Sequence, residues 1–249
     1  GYANVAVGLS ALGAQTTGYE NVALGHQALD ALTTGNLNTA VGRSAGGLIT
    51  TGIRNTLVGS LAGDALTTSL DNVAIGSHAL STETTGKYST AVGQGALFTQ
   101  NAGSDTSVYN TAVGYNTGNL ITTGVQNTLI GGLAGDAITT SEGNTAVGYL
   151  SLTSVAGNYN TGFGRACLML VTGDDNTAIG ESAGQQITSG NNNIVLGHDS
   201  GLTGSPGGNI TTASNILSIG DENIATANIQ VDWTVASDAR DKTDFTALD

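Results

Sequence analysis

Three histidines, one cysteine and a few acidic pairs are the residues whose types could do chemistry in this chain of 249 residues. His26, His78 and His198 could ligate a metal. Cys167 could act as a nucleophile if its thiol were ionised. Asp174-Asp175, Asp221-Glu222 and the aligned Asp64 and Asp136 could supply the acid and base of a glycan-cutting site. Context argues against each. The histidines read as sharing one exposed turn of a repeated unit, in copies too far apart to share a metal within the chain. Cys167 stands where other copies carry Ala, as at Ala28 and Ala96, so it reads as a small buried hydrophobe. Asp64 and Asp136 hold equivalent places in duplicated units, which favours a structural or solvent-facing role, and sugar-stacking aromatics are sparse. The Gly-Gly-x-Gly-x-Asp calcium repeat and the phosphate loop are absent, because the glycines are periodic rather than clustered before a helix. No cofactor and no metal is expected. The seven tyrosines fall mostly at turns and single out no receptor-binding residue.

What positions these residues is the repeat. The pattern Asn, Thr or Val, a small residue, Val, Ile or Leu, then Gly starts at Asn4, Asn21, Asn38, Asn55 and Asn72, seventeen residues apart each time. Ser89 takes the Asn place in the next copy, and an insertion around Asp105 to Tyr109 stretches the following step to 21. The series resumes at Asn110, Asn127, Asn144, Asn160, Asn176 and Asn193, and a looser copy, Asn215-Ile-Leu-Ser-Ile-Gly220, closes it. Each unit continues with Ala-Leu or Ala-Gly and a Thr-Thr-Gly triplet, so two short strand-like pieces alternate with two turns. The fourth position, as at Val7, Leu24 and Phe163, is always large and apolar and is expected to face a core. Gly after it marks the turn to solvent.

A unit this short cannot bury its apolar side alone, but stacking units along an axis pairs each strand with its counterparts. The fold class expected is therefore all-β, a parallel β-solenoid or β-roll of about thirteen 17-residue coils. Stacking sets Asn on Asn and Thr on Thr, giving amide and hydroxyl ladders. A longer repeat overlies the short one, since Asn38 to Gly76 closely matches Asn110 to Gly148, 72 residues on. Ala-Gly at Ala45-Gly46, Ala62-Gly63 and Ala134-Gly135 suggests close approach of neighbouring backbone.

Composition narrows the classes. With 39% hydrophobic residues and a single proline the chain should fold. Eleven aromatic residues (one Trp, seven Tyr, three Phe) are too few for a wide core, which points to an elongated object. A net charge of −13 with no basic stripe argues against nucleic acid or an anionic membrane as partner. The lone cysteine allows no intrachain disulfide, and no apolar run is long enough for a spanning helix. The chain starts inside a repeat and reads as a segment of a longer polypeptide. Threonine ladders on a flat face would also suit an ice-binding solenoid, although the triplet breaks at Asn101 to Gly103 and at Ala156-Gly157.

The Asn-Thr-Ala-Val-Gly units with Ala-Leu and Thr-Thr-Gly resemble the repeats of phage tail fibres and, more distantly, the heads of trimeric autotransporter adhesins. The resemblance covers residues 1 to 220, the rod. It implies an intertwined or side-by-side homotrimer on a common axis, located in the virion tail outside the cell, with other tail proteins and a host cell-surface receptor or glycan as partners. The implied axis could gather three copies of one histidine, but an outward turn is the wrong place for a metal. Residues 221 to 236 form a junction, with a strand expected at 228 to 235 around Trp233. From Ser237, the sequence Ser-Asp-Ala-Arg-Asp-Lys-Thr-Asp-Phe245 resembles the opening of the intramolecular chaperone domain of tail fibres and tailspikes, so 237 to 249 would be its truncated start. In that family a Ser and a Lys five residues later perform self-cleavage before the Ser. Here the resemblance assigns the dyad to Ser237 and Lys242 and the scissile bond to Ala236-Ser237. A lysine whose pKa is lowered by burial can take the serine proton. The chain is otherwise read as no enzyme, and the alternative is a bacterial trimeric surface adhesin.

Overall fold

The computed structural model describes residues 1–103, 106–154 and 157–226. Ser237, Lys242, Trp233 and the strand expected at 228 to 235 lie outside the described residues, as does Ala156. Among the described residues there are thirteen strands, β1 (Val5–Val7), β2 (Val22–Leu24), β3 (Thr39–Val41), β4 (Thr56–Val58), β5 (Val73–Ile75), β6 (Thr90–Val92), β7 (Thr111–Val113), β8 (Thr128–Ile130), β9 (Thr145–Val147), β10 (Thr161–Phe163), β11 (Thr177–Ile179), β12 (Ile194–Leu196) and β13 (Leu217–Ile219). They form a single sheet in chain order, every neighbouring pair parallel. This is a β-solenoid, and among the described residues it contains no helix.

Each coil carries one strand of three residues, not two longer ones, and the reason lies in its turns. Counting positions from the Asn, the Gly at position 5 has φ near +135° (Gly25 +138°, Gly42 +136°), and positions 7, 9 and 17 take left-handed φ even where they are not Gly, as at Gln27, Leu29 and Leu37. Left-handed backbone is costly for such residues. Stacking offsets it, because the displaced amides find carbonyls in neighbouring coils: Gln27 N–H donates to Leu9 O at 2.8 Å and Leu29 N–H to Ala45 O at 3.1 Å. The position-5 glycine is required twice over. A Cβ on Gly42 would sit 2.4 Å from Gly59 O, and its φ is one that side chains rarely adopt.

The Asn ladder is present. Asn38 Oδ1 accepts from Asn55 N–H at 3.0 Å and from Asn55 Nδ2 at 3.0 Å, while Asn38 Nδ2 donates to Gly52 O at 2.8 Å. Each buried Asn thus joins two coils and ties the start of its own coil to the Thr-Thr-Gly turn. The threonine ladder differs from expectation. Thr16, Thr33, Thr50 and Thr67 donate their hydroxyls to the main-chain carbonyl of the next coil's Thr, at 3.0, 3.1, 3.3 and 3.0 Å, rather than to its side chain. The closing copy also differs: Leu217 to Ile219 pair with Ile194 to Leu196, so Ile216 rather than Asn215 meets the ladder, donating its N–H to Asn193 Oδ1 at 3.0 Å.

The interior is narrow and lined by position 3, position 8 and the aliphatics at positions 9 and 12, such as Leu29, Leu32, Ile49 and Leu57. What approaches the Ala-Gly sites is a side chain, not backbone. Leu57 lies with Cδ1 2.7 Å from where a Cβ on Gly46 would be and Cδ2 2.8 Å from that of Gly63. Leu129 fills the same space between Gly118 and Gly135. Leucine moves from position 9 to position 3, and the core volume is kept.

Candidate interaction face

In a strand, alternate side chains point to opposite faces. Position 3 (Ala23, Ala40, Leu57, Ala74) is completely buried in the coil, so positions 2 and 4 point out. The fourth-position side chains therefore do not face the solenoid core, contrary to the expectation from their size. Val113 is 36% exposed, Ile130 40%, Ile179 47% and Phe163 55%. The middle residue of each three-residue strand takes the one inward place, mostly Ala, with Leu57, Leu129 and Val195 where the neighbouring position 9 is Gly, and its two neighbours are left outside.

Stacking turns these positions into two rows on one flat face. Position 4 gives an unbroken line of Val, Ile, Leu and Phe163, and position 2 gives Thr in eight strands and Val, Ile or Leu in the other five. Thirteen strands at about 4.8 Å make a strip about 60 Å long and about 10 Å wide, on the order of 600 Å², in which the apolar position-4 row runs beside a mostly threonine position-2 row. On the chain before each strand, position 17 carries Arg54 and Asp71, whose bonds Nε–Oδ1 and Nη2–Oδ2 measure 2.6 and 2.7 Å, and Tyr88 stacked on Tyr109 with centroids 5.1 Å apart. After each strand, position 6 carries Tyr115, Tyr149 and the ion pair of Arg165 with Glu181. The Arg54 guanidinium holds the Asp71 carboxyl below its usual range, and Arg165 does the same to Glu181. An apolar strip rimmed by Arg, Tyr and paired charge has the composition of a protein-contact surface.

The residues first considered for chemistry are not brought together. His26 and His198 share position 6, but His78 stands one residue later, with left-handed φ and its Nδ1 2.9 Å from Ser77 Oγ. Among the described residues no three His, Cys, Asp or Glu side chains converge on a metal position. Cys167 is fully buried at position 8, donates Sγ–H to Ala178 O at 3.1 Å, and burial pushes its thiol up to about 12. Asp64 and Asp136 do occupy equivalent places, four coils apart and so separated by about 19 Å, too far for a pair of hydrolytic carboxylates. Asp64 accepts from Ser81 Oγ at 2.5 Å. Asp174 accepts the Asn158 amide at 2.6 Å, and Asp221 accepts both the amide and the Nδ2 of Asn223. Asp30 and Asp64 border a shallow cleft over Gly47 with Gln27, Ser44, Leu48 and Leu61.

One network escaped the sequence reading. Ser89 is too short to extend the Asn ladder, and Glu83 and Gln100, fully buried at position 12 of successive coils, take its place. Gln100 Nε2 donates to Ser89 Oγ at 3.0 Å and Glu83 Oε2 at 3.1 Å, and Gln100 Oε1 accepts from Asn110 Nδ2 at 2.9 Å. Glu83 Oε1 accepts the amides of Thr84, Thr85 and Gly86 at 3.0, 3.2 and 2.8 Å, and Oε2 that of Ala102 at 3.2 Å. Two successive polar residues in a mostly apolar row, beside the Ser that replaces Asn at 89, were the available signal.

No protein-family model, curated protein sequence or solved structure matches this chain.

Proposed function

We propose that this chain is a rod segment of a phage tail fibre, in which three copies pack their strand faces together and space or present a host-binding end. The observation that carries the reading is the unbroken row of outward Val, Ile, Leu and Phe side chains at position 4. A single coil buries little apolar area for its length, and a strip of on the order of 600 Å² per copy lies at the low end of the area that each partner contributes to a stable association. The uniform sheet, laced at every step by main-chain and Asn hydrogen bonds, supplies stiffness. The partners of the rod are further copies of the chain, other tail proteins and a cell-surface receptor or glycan. In this account Ser237, with Lys242 as its base, releases the chaperone segment by cleavage of the Ala236-Ser237 bond.

Two measurements on the chain with its native C-terminal continuation test the reading. Intact mass should place the mature C-terminus at Ala236, and Ser237→Ala should retain the uncleaved mass. The purified rod should compete with the phage that encodes it for adsorption to host cells. A rod that leaves adsorption unchanged and continues into a coiled coil with a membrane anchor would instead be an adhesin. A second reading draws on the eight position-2 threonines at strand spacing on the flat face, which would suit ice. Thermal hysteresis from a single-copy protein would favour it.

A further inference from the structure

The exposed strip repeats with every strand, and that creates a difficulty for any assembly built on it. Sliding one copy by one strand, about 4.8 Å, sets Val against Ile or Leu along nearly the whole length and removes only about one strand's worth of contact. A uniform strip therefore specifies its axial register weakly. Something must break the repetition.

In the position-4 row it is broken once. Phe163 in β10 is the only aromatic residue among thirteen, and it stands 55% exposed. Beneath it, position 3 is Gly162, the only glycine at that place, where a Cβ would lie 2.7 Å from Ser151 Oγ. The coils entering β10 and β11 are also distinct, since the steps from Asn144 to Asn160 and from Asn160 to Asn176 are sixteen residues rather than seventeen. At these levels position 6 carries the Arg165–Glu181 pair, and Tyr149 stands one level before it, after β9. In a cyclic assembly identical residues meet at one height. Aligned copies bring their Phe163 rings to one level, whereas a slipped copy places a ring against Val147 or Ile179, overfilling one level and leaving a gap at another.

We propose that Phe163 sets the axial register in which copies of this chain pack through their strand faces. The inference rests on the self-association described under Proposed function.

The test uses the whole chain in a Cys167→Ala background, so that only introduced thiols react. Chains carrying Val92→Cys are co-expressed with chains carrying Val113→Cys, two outward residues of adjacent strands in the same row. After mild oxidation, disulfides are mapped by mass spectrometry. Aligned copies link 92 to 92 and 113 to 113, and slipped copies link 92 to 113. With Phe163 present, same-position links should exceed cross-position links by about tenfold or more, and Phe163→Val should bring the two within about threefold, in keeping with the loss of aromatic contacts. Ile130→Val should leave the ratio unchanged. An unchanged ratio in Phe163→Val, with copies still associated, overturns the register role alone. A single-copy native mass with no links overturns the association itself and the register role with it.

Discussion

Gln100 Oε1 accepts a hydrogen bond from Asn110 Nδ2 at 2.9 Å, the place that Asn Oδ1 of the preceding coil holds elsewhere, as in Asn127 Nδ2 to Asn110 Oδ1 at 3.2 Å. A side chain from the far side of the coil thus repairs the ladder where Ser89 interrupts it. Gln100→Leu takes one of two partners from Asn110 Nδ2, which keeps Gly124 O, and from Glu83 Oε2, which keeps the Ala102 amide, in a fully buried site. It should cost about 2–3 kcal/mol in a urea unfolding experiment. Adding Ser89→Asn should recover at least half of that loss, since the ladder amide is then restored. Additive losses in the double variant would show that Gln100 and Ser89 do not serve one network.

Two glycines separate backbone need from mere smallness. Gly42 has φ +136° and would place a Cβ 2.4 Å from Gly59 O, whereas a Cβ on Gly47 meets nothing nearer than Ser44 O at 3.4 Å. Gly42→Ala should destabilise by about 3 kcal/mol or more, and Gly47→Ala should be neutral or stabilise by about 0.5 kcal/mol. Thermal melts of the two variants decide it. Equal losses would mean that stacking does not enforce the position-5 conformation.

Cys167 is a thiol held neutral by burial, its pKa pushed up to about 12. The thiolate is the reactive form, so iodoacetamide at pH 8 should label native protein at least about a hundredfold more slowly than protein in guanidinium. Rapid native labelling would mean that the coil opens at β10 and β11 far more readily than its hydrogen bonds imply.

Asp136 has its carboxyl pushed up from the usual range, chiefly by desolvation, against the pull of its own and the Ala137 amides. The folded pKa then exceeds the unfolded one, so the native state binds the proton more tightly. Its stabilising effect is full below the unfolded value of about 3.8 and is lost as pH rises through the raised folded value. Asp136→Asn should therefore melt at a higher temperature than the native chain at pH 7, with the difference vanishing near pH 3. A difference that grew on acidification would reverse the assignment.

The coil, the parallel stacking and the Asn ladder were legible because each depends on a residue type recurring at a fixed step, with Asn at position 1 of every coil from β1 to β12 except at Ser89. The orientation of position 4 was not. Val113 and Ile130 are large and apolar, and in an isolated globular chain that means inside, but a strand of three residues offers one inward place, and the coil interior fits Ala112 or a leucine such as Leu129 between two glycines. The turns were partly hidden for a different reason. Left-handed φ is borne by Leu12, Leu29 and Leu97 as well as by glycine, so nothing in residue type announces it. The candidate face followed from both errors at once: it became visible only when the strand was seen to be short and its bulky residues outward.

Native mass spectrometry of the purified chain tests the central claim most directly. The account requires three copies per particle, and requires that Val113→Asp together with Ile130→Asp, which point away from the coil core, abolish the association while circular dichroism stays native. A single copy at micromolar concentration, or a trimer indifferent to those two charges, would contradict it.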